Sequence, residues 1–133
     1  MTLLKVYTDG GSKGNPGPAS IGVIIYLNNK IIFRHHSSIG IATNNDAEYQ
    51  AVIFALEKIK ELKNQYAIDK IIFHSDSQLL INQVNGFYKI KNGKIKEYIL
   101  KIKILEQEIN LPIVYKQIPR EKNKEADKMV NSF

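Results

Sequence analysis

The chain has 133 residues, 44% hydrophobic and 24% charged, which fits one globular domain over residues 1–133 with a core of its own. Cysteine is absent, which excludes a disulfide framework, a thiolate zinc site and a cysteine nucleophile. No segment has the apolar core of a signal peptide or the roughly 20 apolar residues of a membrane-spanning helix. The expectation is a soluble, cytoplasmic chain with no membrane partner, monomeric by default. Nineteen basic residues stand against thirteen acidic ones, a formal net charge of +6. That surplus favours a polyanionic partner, because each neutralised phosphate releases counterions.

Leu3 to Thr8 reads as a strand, followed by a turn-rich stretch from Gly10 to Pro18. Ile21 to Leu27 and Lys30 to His36 read as two strands joined at Asn28-Asn29, and with the first strand they make an antiparallel meander. Thr43 is a good helix N-cap, with Asp46 three residues on to complete a capping box. Ala51, Ala55, Ile59 and Leu62 mark the buried face of that helix. Lys70 to Ser75 contains the continuous run Ile71-Ile72-Phe73, which suits a strand covered on both faces.

Asp76 to Val84 reads as a short helix. Ile95, Tyr98, Ile99, Ile102, Leu105 and Ile109 form the apolar stripe of a longer one. Leu111 to Gln117 is a last strand with Pro112 near its start, and Asn123 to Phe133 closes the chain as a helix with Ala126, Met129, Val130 and Phe133 on one side. The order βββ-α-β-α-α-β-α and a right-handed crossover predict an α/β fold. Its five-stranded mixed sheet has three antiparallel strands plus parallel ones, and helices on both faces. Sites in such sheets form at the carboxyl ends of the parallel strands.

Carboxylates occupy that edge. Asp9 ends the first strand and Asp76 the fourth, so parallel neighbours would bring them together. Glu48 stands one turn before Ala51 on the buried face of its helix, and Asp127 borders the stripe of the last helix. Singly each is ordinary: an Asp before a glycine turn is common, and Asp76 could cap a helix. Four gathered in a basic protein would repel one another unless hard cations sat between them. Two such ions about 3.5–4 Å apart suit phosphodiester hydrolysis. The glycine-rich stretch matches neither G-x-x-x-x-G-K-S/T nor G-x-G-x-x-G, and Ser12 lacks a G-x-S-x-G setting. His35, His36 and His74 show no metal-ligand spacing; the first two suit a strand surface, and His74 suits a structural role.

Four segments together resemble the ribonuclease H type 1 family. Tyr7 to Pro18 is similar to its opening signature, Thr43-Asn44-Asn45-Asp46-Ala47-Glu48 to its T-N-N-x-x-E element, Asp76-Ser77-Gln78 to its D-S-Q element, and Asn123 to Asp127 to its N-x-x-A-D close. The resemblance implies a Mg²⁺-dependent endonuclease, with Mn²⁺ a possible substitute, that cuts the RNA strand of an RNA–DNA hybrid to 5′-phosphate and 3′-hydroxyl ends. It implies that Asp9, Glu48, Asp76 and Asp127 are catalytic and hold two metal ions, with Glu48 also contacting the RNA 2′-hydroxyl. Ser12, Asn15 and Gln78 fall on the RNA side and Thr43 and Asn44 on the DNA side, and Gly10, Gly11 and Arg120 are expected among the substrate-binding residues. A same-fold nuclease for double-stranded RNA or structured DNA, and a non-catalytic hybrid-binding module, stay open as alternatives.

Three departures from the family pattern stand out. The loop before the last helix, Ile118 to Lys122, has no histidine, and Arg120 is expected to approach the phosphate in its place. Ile41 occupies a position where some relatives carry an arginine for the DNA phosphate. The stretch from Asn85 to Lys96 is too short for the basic protrusion of some relatives, and Lys89, Lys91, Lys94 and Lys96 are expected either to substitute for it electrostatically or simply to form a solvated loop and helix start.

Overall fold

The computed structural model describes residues 1–130, with side chains described through Lys128. The elements are β1 (Leu3–Ser12), β2 (Gly17–Leu27), β3 (Lys30–Ala42), α1 (Asn44–Leu62), β4 (Lys70–Ser75), α2 (Gln78–Val84), α3 (Gly93–Ile109), β5 (Ile113–Gln117) and α4 (Lys124–Val130), with a 3-10 turn at Arg120–Lys122 before α4. The sheet runs β3-β2-β1-β4-β5; β1, β2 and β3 pair antiparallel, while β4 and β5 join β1 in parallel. This is the mixed α/β sheet expected from the sequence.

The first hairpin is longer than composition predicts. Gly10, Gly11 and Ser12 were expected in a turn, yet they continue β1 because β2 pairs with them, Ser12 lying opposite Ala19. The turn narrows to residues 13–16, closed by the Lys13 N–H donating to Pro18 O at 2.8 Å. Likewise β3 extends to Ala42, which lies opposite Gly17. Cross-strand pairing overrides the weak strand preference of glycine and serine here.

β4 corrects a second expectation. Ile71 and Phe73 are buried, but Ile72 between them is only half-buried, so the strand alternates instead of being covered on both sides. The reason is the reach of α4, which packs on β1, β2 and β3 and leaves the far face of β4 partly open. The other face is closed by α1 with α2 and α3 beside it. α1 buries Tyr49, Val52 and Leu56 together with the predicted Ala51, Ala55, Ile59 and Leu62. α3 buries Ile95, Ile102, Leu105 and Ile109, and Lys63 donates to the carbonyls of Glu108 and Ile109 at 2.8 and 3.0 Å, satisfying the end of that helix. The Met129 and Val130 side chains, and Phe133, expected on the inner stripe of the last helix, lie outside the described residues.

His36 is exposed on β3 as expected, whereas His35 is half-buried and stacks on Phe54 at 4.1 Å. His74 Nδ1 donates to Val6 O at 3.2 Å and its ring stacks on Tyr7 at 4.4 Å, which ties β4 to β1.

Gly10 sets how closely α1 approaches β1. A Cβ at this position would collide with the backbone of Ala47 and Glu48. Gly10→Ala is therefore expected to push the start of α1 off the sheet and lower stability by about 1–3 kcal/mol, the usual cost of overpacking. A denaturant titration checks it; an unshifted midpoint would mean that the helix start yields freely.

Candidate active site

Register brings the first two carboxylates together. Tyr7 lies opposite His74 in the parallel pair β1–β4, so Asp9 and Asp76, each two residues further on, emerge side by side at the strands' carboxyl ends. Asp76 is not a helix cap; Ser77 takes that role, its side chain accepting from the Leu80 N–H at 3.2 Å. Glu48 reaches the same point from the first turns of α1. That helix starts where it does because Thr43 and Asp46 form a complete capping box. The absent side chain of Gly10 lets Glu48 pass over β1, and the Gly10 N–H donates to Glu48 Oε1 at 2.6 Å and to Asp9 Oδ1 at 3.0 Å.

Oxygens of Asp9, Glu48 and Asp76 lie within 4.8 Å of one another. Asp127, on α4, stands at the edge of this group. Its negative charge acts on Asp9, and its Oδ1 pairs with Arg120 at 3.4 Å. Asn123, fully buried just before α4, donates from Nδ2 to Thr8 O at 3.0 Å and to Asp76 Oδ2 at 3.2 Å. The sequence motif contains this asparagine, but its spacing gives no sign of which carboxylate it meets.

Burial and crowding raise the proton affinity of two of these carboxylates, Asp9 and Glu48. Burial, then the neighbouring Asp76 charge, pushes Asp9 up to about 7. Burial, with Asp9 and Asp76 next to it, holds Glu48 well above the ordinary glutamate range. Three hard oxygen donors converging in a poorly solvated place, with no cationic side chain among them in the described residues, are a donor set that fits a divalent cation. The opening beside them is a cavity of about 600 Å³.

Of the residues expected at a substrate site, Gly10, Gly11, Ser12, Asn44 and Arg120 line this cavity with the four carboxylates; Asn15, Thr43 and Gln78 do not. Asn44 organises the glycine-rich hairpin: its Oδ1 accepts from the Ser12 N–H at 2.8 Å and from Ser12 Oγ at 3.0 Å, while its own N–H donates to Asn15 Oδ1 at 3.0 Å. Thr43 is engaged as the cap of α1, and Gln78 is exposed at the start of α2. The lining is completed by Lys13, Pro18, Ala19, Ser20, Ser38, Asn45, Ser77 and Leu79, none of which the sequence singles out as substrate-binding. Of the four lysines expected to replace a basic protrusion, Lys94 pairs with Asp46 of the α1 capping box at 3.3 Å. Lys89, Lys91 and Lys96 are exposed around it.

The raised carboxylates make stability depend on pH. Without divalent cation the folded protein keeps protons on Asp9 that the unfolded chain releases near 3.8, so stability falls as pH rises from there through about 7. In EDTA at pH 8, Asp9→Asn is expected to be more stable than the parent by roughly 2 kcal/mol. Mg²⁺ should raise the parent's Tm at that pH and the variant's by less. Thermal melts across the pH range check this; a flat pH profile for both proteins would mean that the carboxylates do not repel one another.

A family model described as reverse transcriptase-like matches residues 7–133. LC11-RNase H1, isolated from compost by a metagenomic approach, is 40% identical, with a TM-score of 0.91 over 98% of this chain and 94% of that one. Its structure in complex with an RNA/DNA hybrid gives 0.90 at 39% identity, over 96% of this chain and 94% of that one. RNase H1 from Halobacterium salinarum NRC-1 gives 0.88 at 32% identity, over 97% and 95% of the two chains. The bifunctional protein Rv2228c of Mycobacterium tuberculosis is 31% identical over 95% of this chain, which spans 34% of that protein's length. With matches this extensive in both sequence and fold, the chain belongs to the ribonuclease H type 1 family.

Proposed function

We propose that residues 1–133 act as one ribonuclease H-like domain that hydrolyses the RNA strand of RNA–DNA hybrids, leaving 5′-phosphate and 3′-hydroxyl ends, as a cytoplasmic monomer using Mg²⁺ or Mn²⁺. The observation that carries this reading is the cluster of Asp9, Glu48 and Asp76 within 4.8 Å at the carboxyl edge of the parallel strands. The LC11-RNase H1 complex supports the choice of substrate, since that similar protein is seen with an RNA/DNA hybrid.

Asp9, Glu48 and Asp76 would hold the divalent ions, with Asp127 contributing from the edge. When bound, such ions supply Lewis-acid stabilisation to the charge that develops on a phosphodiester. The Gly10 N–H, shared between Asp9 and Glu48, orients both carboxylates from the backbone, so their positions do not depend on a flexible partner. Glu48 sits on the rigid first turns of α1, from which its carboxylate can also meet a ribose 2′-hydroxyl, the group that separates RNA from DNA. Ser12, fixed by Asn44, presents the hairpin to the RNA strand, with Asn15 and Gly11 beside it. Gln78 at the start of α2 extends this side, and Thr43 and Asn44 face the DNA strand. Arg120 carries a fixed positive charge that an arriving or departing phosphate can draw away from Asp127.

A hybrid labelled on its RNA strand tests the reading. Cutting is expected in Mg²⁺ and none in EDTA. Asp76→Asn should lower kcat roughly a thousandfold, the scale for losing a group that supports transition-state charge. Binding without cutting in either Mg²⁺ or Mn²⁺ would sink the catalytic reading in favour of a recognition module. Equal cutting of duplex RNA or duplex DNA would overturn the hybrid specificity.

Arg120→Ala separates two roles for that side chain. If it meets phosphate during turnover, kcat should fall by about tenfold with the hybrid's KM little changed. Unaltered kcat and KM would reduce Arg120 to an ion-pair partner of Asp127.

A further inference from the structure

α1, α2 and α3 each begin with a side-chain oxygen accepting from backbone N–H groups of the first turn: Thr43, Ser77 and Asn92. Asn92 shows what an asparagine does in this position, its Oδ1 taking the N–H groups of Lys94 and Ile95 at 2.9 and 3.2 Å. Asn123 stands at the corresponding place before α4, where its carbonyl accepts the Asp127 N–H at 3.0 Å. Its side chain behaves differently. With 1% of its surface exposed, its Oδ1 has no hydrogen-bond partner among the described residues. Its backbone, at φ −111° and ψ 27°, lacks the extended conformation of the other three caps.

An unsatisfied buried acceptor is costly, and a local rule broken at one of the four described α-helices calls for a compensating gain elsewhere. The gain lies in the amide nitrogen. Both Nδ2 protons are used, one on Thr8 O in β1 and one on Asp76 Oδ2 at the end of β4. Among short side chains, an amide alone supplies two donors from one atom. Serine would supply one, and aspartate would set a second carboxylate against Asp76.

We propose that Asn123 is a positioning residue for Asp76: anchored on β1, it turns the Asp76 carboxylate toward Asp9 and Glu48 and so sets the cation affinity of the cluster. Because the Asn123 carbonyl also receives the Asp127 N–H, the docking of α4 and the orientation of Asp76 are fixed by the same residue. The inference rests on the reading that these carboxylates hold divalent cations. Partners that orient metal-ligating carboxylates typically change metal affinity by about 10- to 100-fold when removed.

Calorimetric titration with Mn²⁺, well below each protein's own Tm, tests this on the parent, Asn123→Ser, Asn123→Ala, Asp76→Asn and the Asp76→Asn/Asn123→Ala double variant. Cation affinity is expected to fall in the order parent, Ser, Ala, by about tenfold or more for Ala. In the Asp76→Asn background Asn123→Ala should cost little more. With hybrid substrate, the kcat of Asn123→Ala should recover at high Mg²⁺ while KM stays near the parent's. Should Asn123→Ala fail to fold, the Asn123→Ser titration decides. Parent-like cation affinity in the folded variant, or an equal loss with and without the Asp76 carboxylate, would overturn the proposal. A parent that binds no Mn²⁺ and cuts no hybrid would instead defeat the cation-binding reading beneath it.

Discussion

Everything at the carboxyl edge of the sheet is arranged around one electrostatic conflict, the convergence of Asp9, Glu48 and Asp76 within 4.8 Å. Like charges this close, and partly removed from water, oppose the packing that brings them together. Packing behind them prevails. α1 cannot retreat, because Tyr49, Val52, Leu56 and Ile59 are locked into the core beneath it. β1 and β4 are held in register by their parallel ladder. The cluster is thus a local defect that a large apolar core sustains.

Neutral donors keep it in order. The Gly10 N–H bonds both Asp9 and Glu48, and the Asn123 amide bonds Asp76. None of these donors carries a full charge, and that matters. A lysine placed among the carboxylates would relieve the repulsion permanently and compete with a divalent cation for the same oxygens. Backbone and amide N–H groups orient the oxygens while leaving most of the negative charge uncompensated. The one guanidinium close by, Arg120, is on the exposed rim and touches only Asp127 among the four.

The elements that the sequence reveals best are those with strong periodicity. The stripe of α3 and the buried face of α1 stand where spacing places them, and Thr43 with Asp46 announces the start of α1 by side-chain chemistry alone. The ends of β1 and β3 are less legible. Gly10, Gly11 and Ser12 have no local reason to be extended, and they become strand only because a partner strand lies alongside. β4 misleads for a related cause: Ile71-Ile72-Phe73 describes the strand's own apolarity, whereas the exposure of Ile72 depends on how far α4 reaches. At the site, motif order indicates that Asp9, Glu48 and Asp76 belong together. The pairing of Lys94 with Asp46 and of Arg120 with Asp127 joins residues far apart or on separate turns, and spacing carries no trace of it.

The basic surplus and the acidic cluster operate at different ranges. A net charge of +6 biases the approach of a polyanion to the molecule as a whole, but at physiological ionic strength exposed charges more than about 8 Å apart are largely screened from each other. A phosphate arriving at the cavity therefore responds to what lines it. There the four carboxylates outnumber Lys13 and Arg120, the cations of the lining, and distant lysines offer little help. Lys94 is already engaged with Asp46, so it steadies the start of α3 against α1 more than it attracts substrate. On the proposed function, what reverses the sign of the field at short range is bound at the cluster itself. Hard divalent cations on oxygen donors do this without filling the cavity with side chains. Lysines not engaged in the fold then serve the approach and the carboxylates the last few ångströms, which on this reading is how a chain of net charge +6 can carry an acidic cluster at a nucleic-acid site.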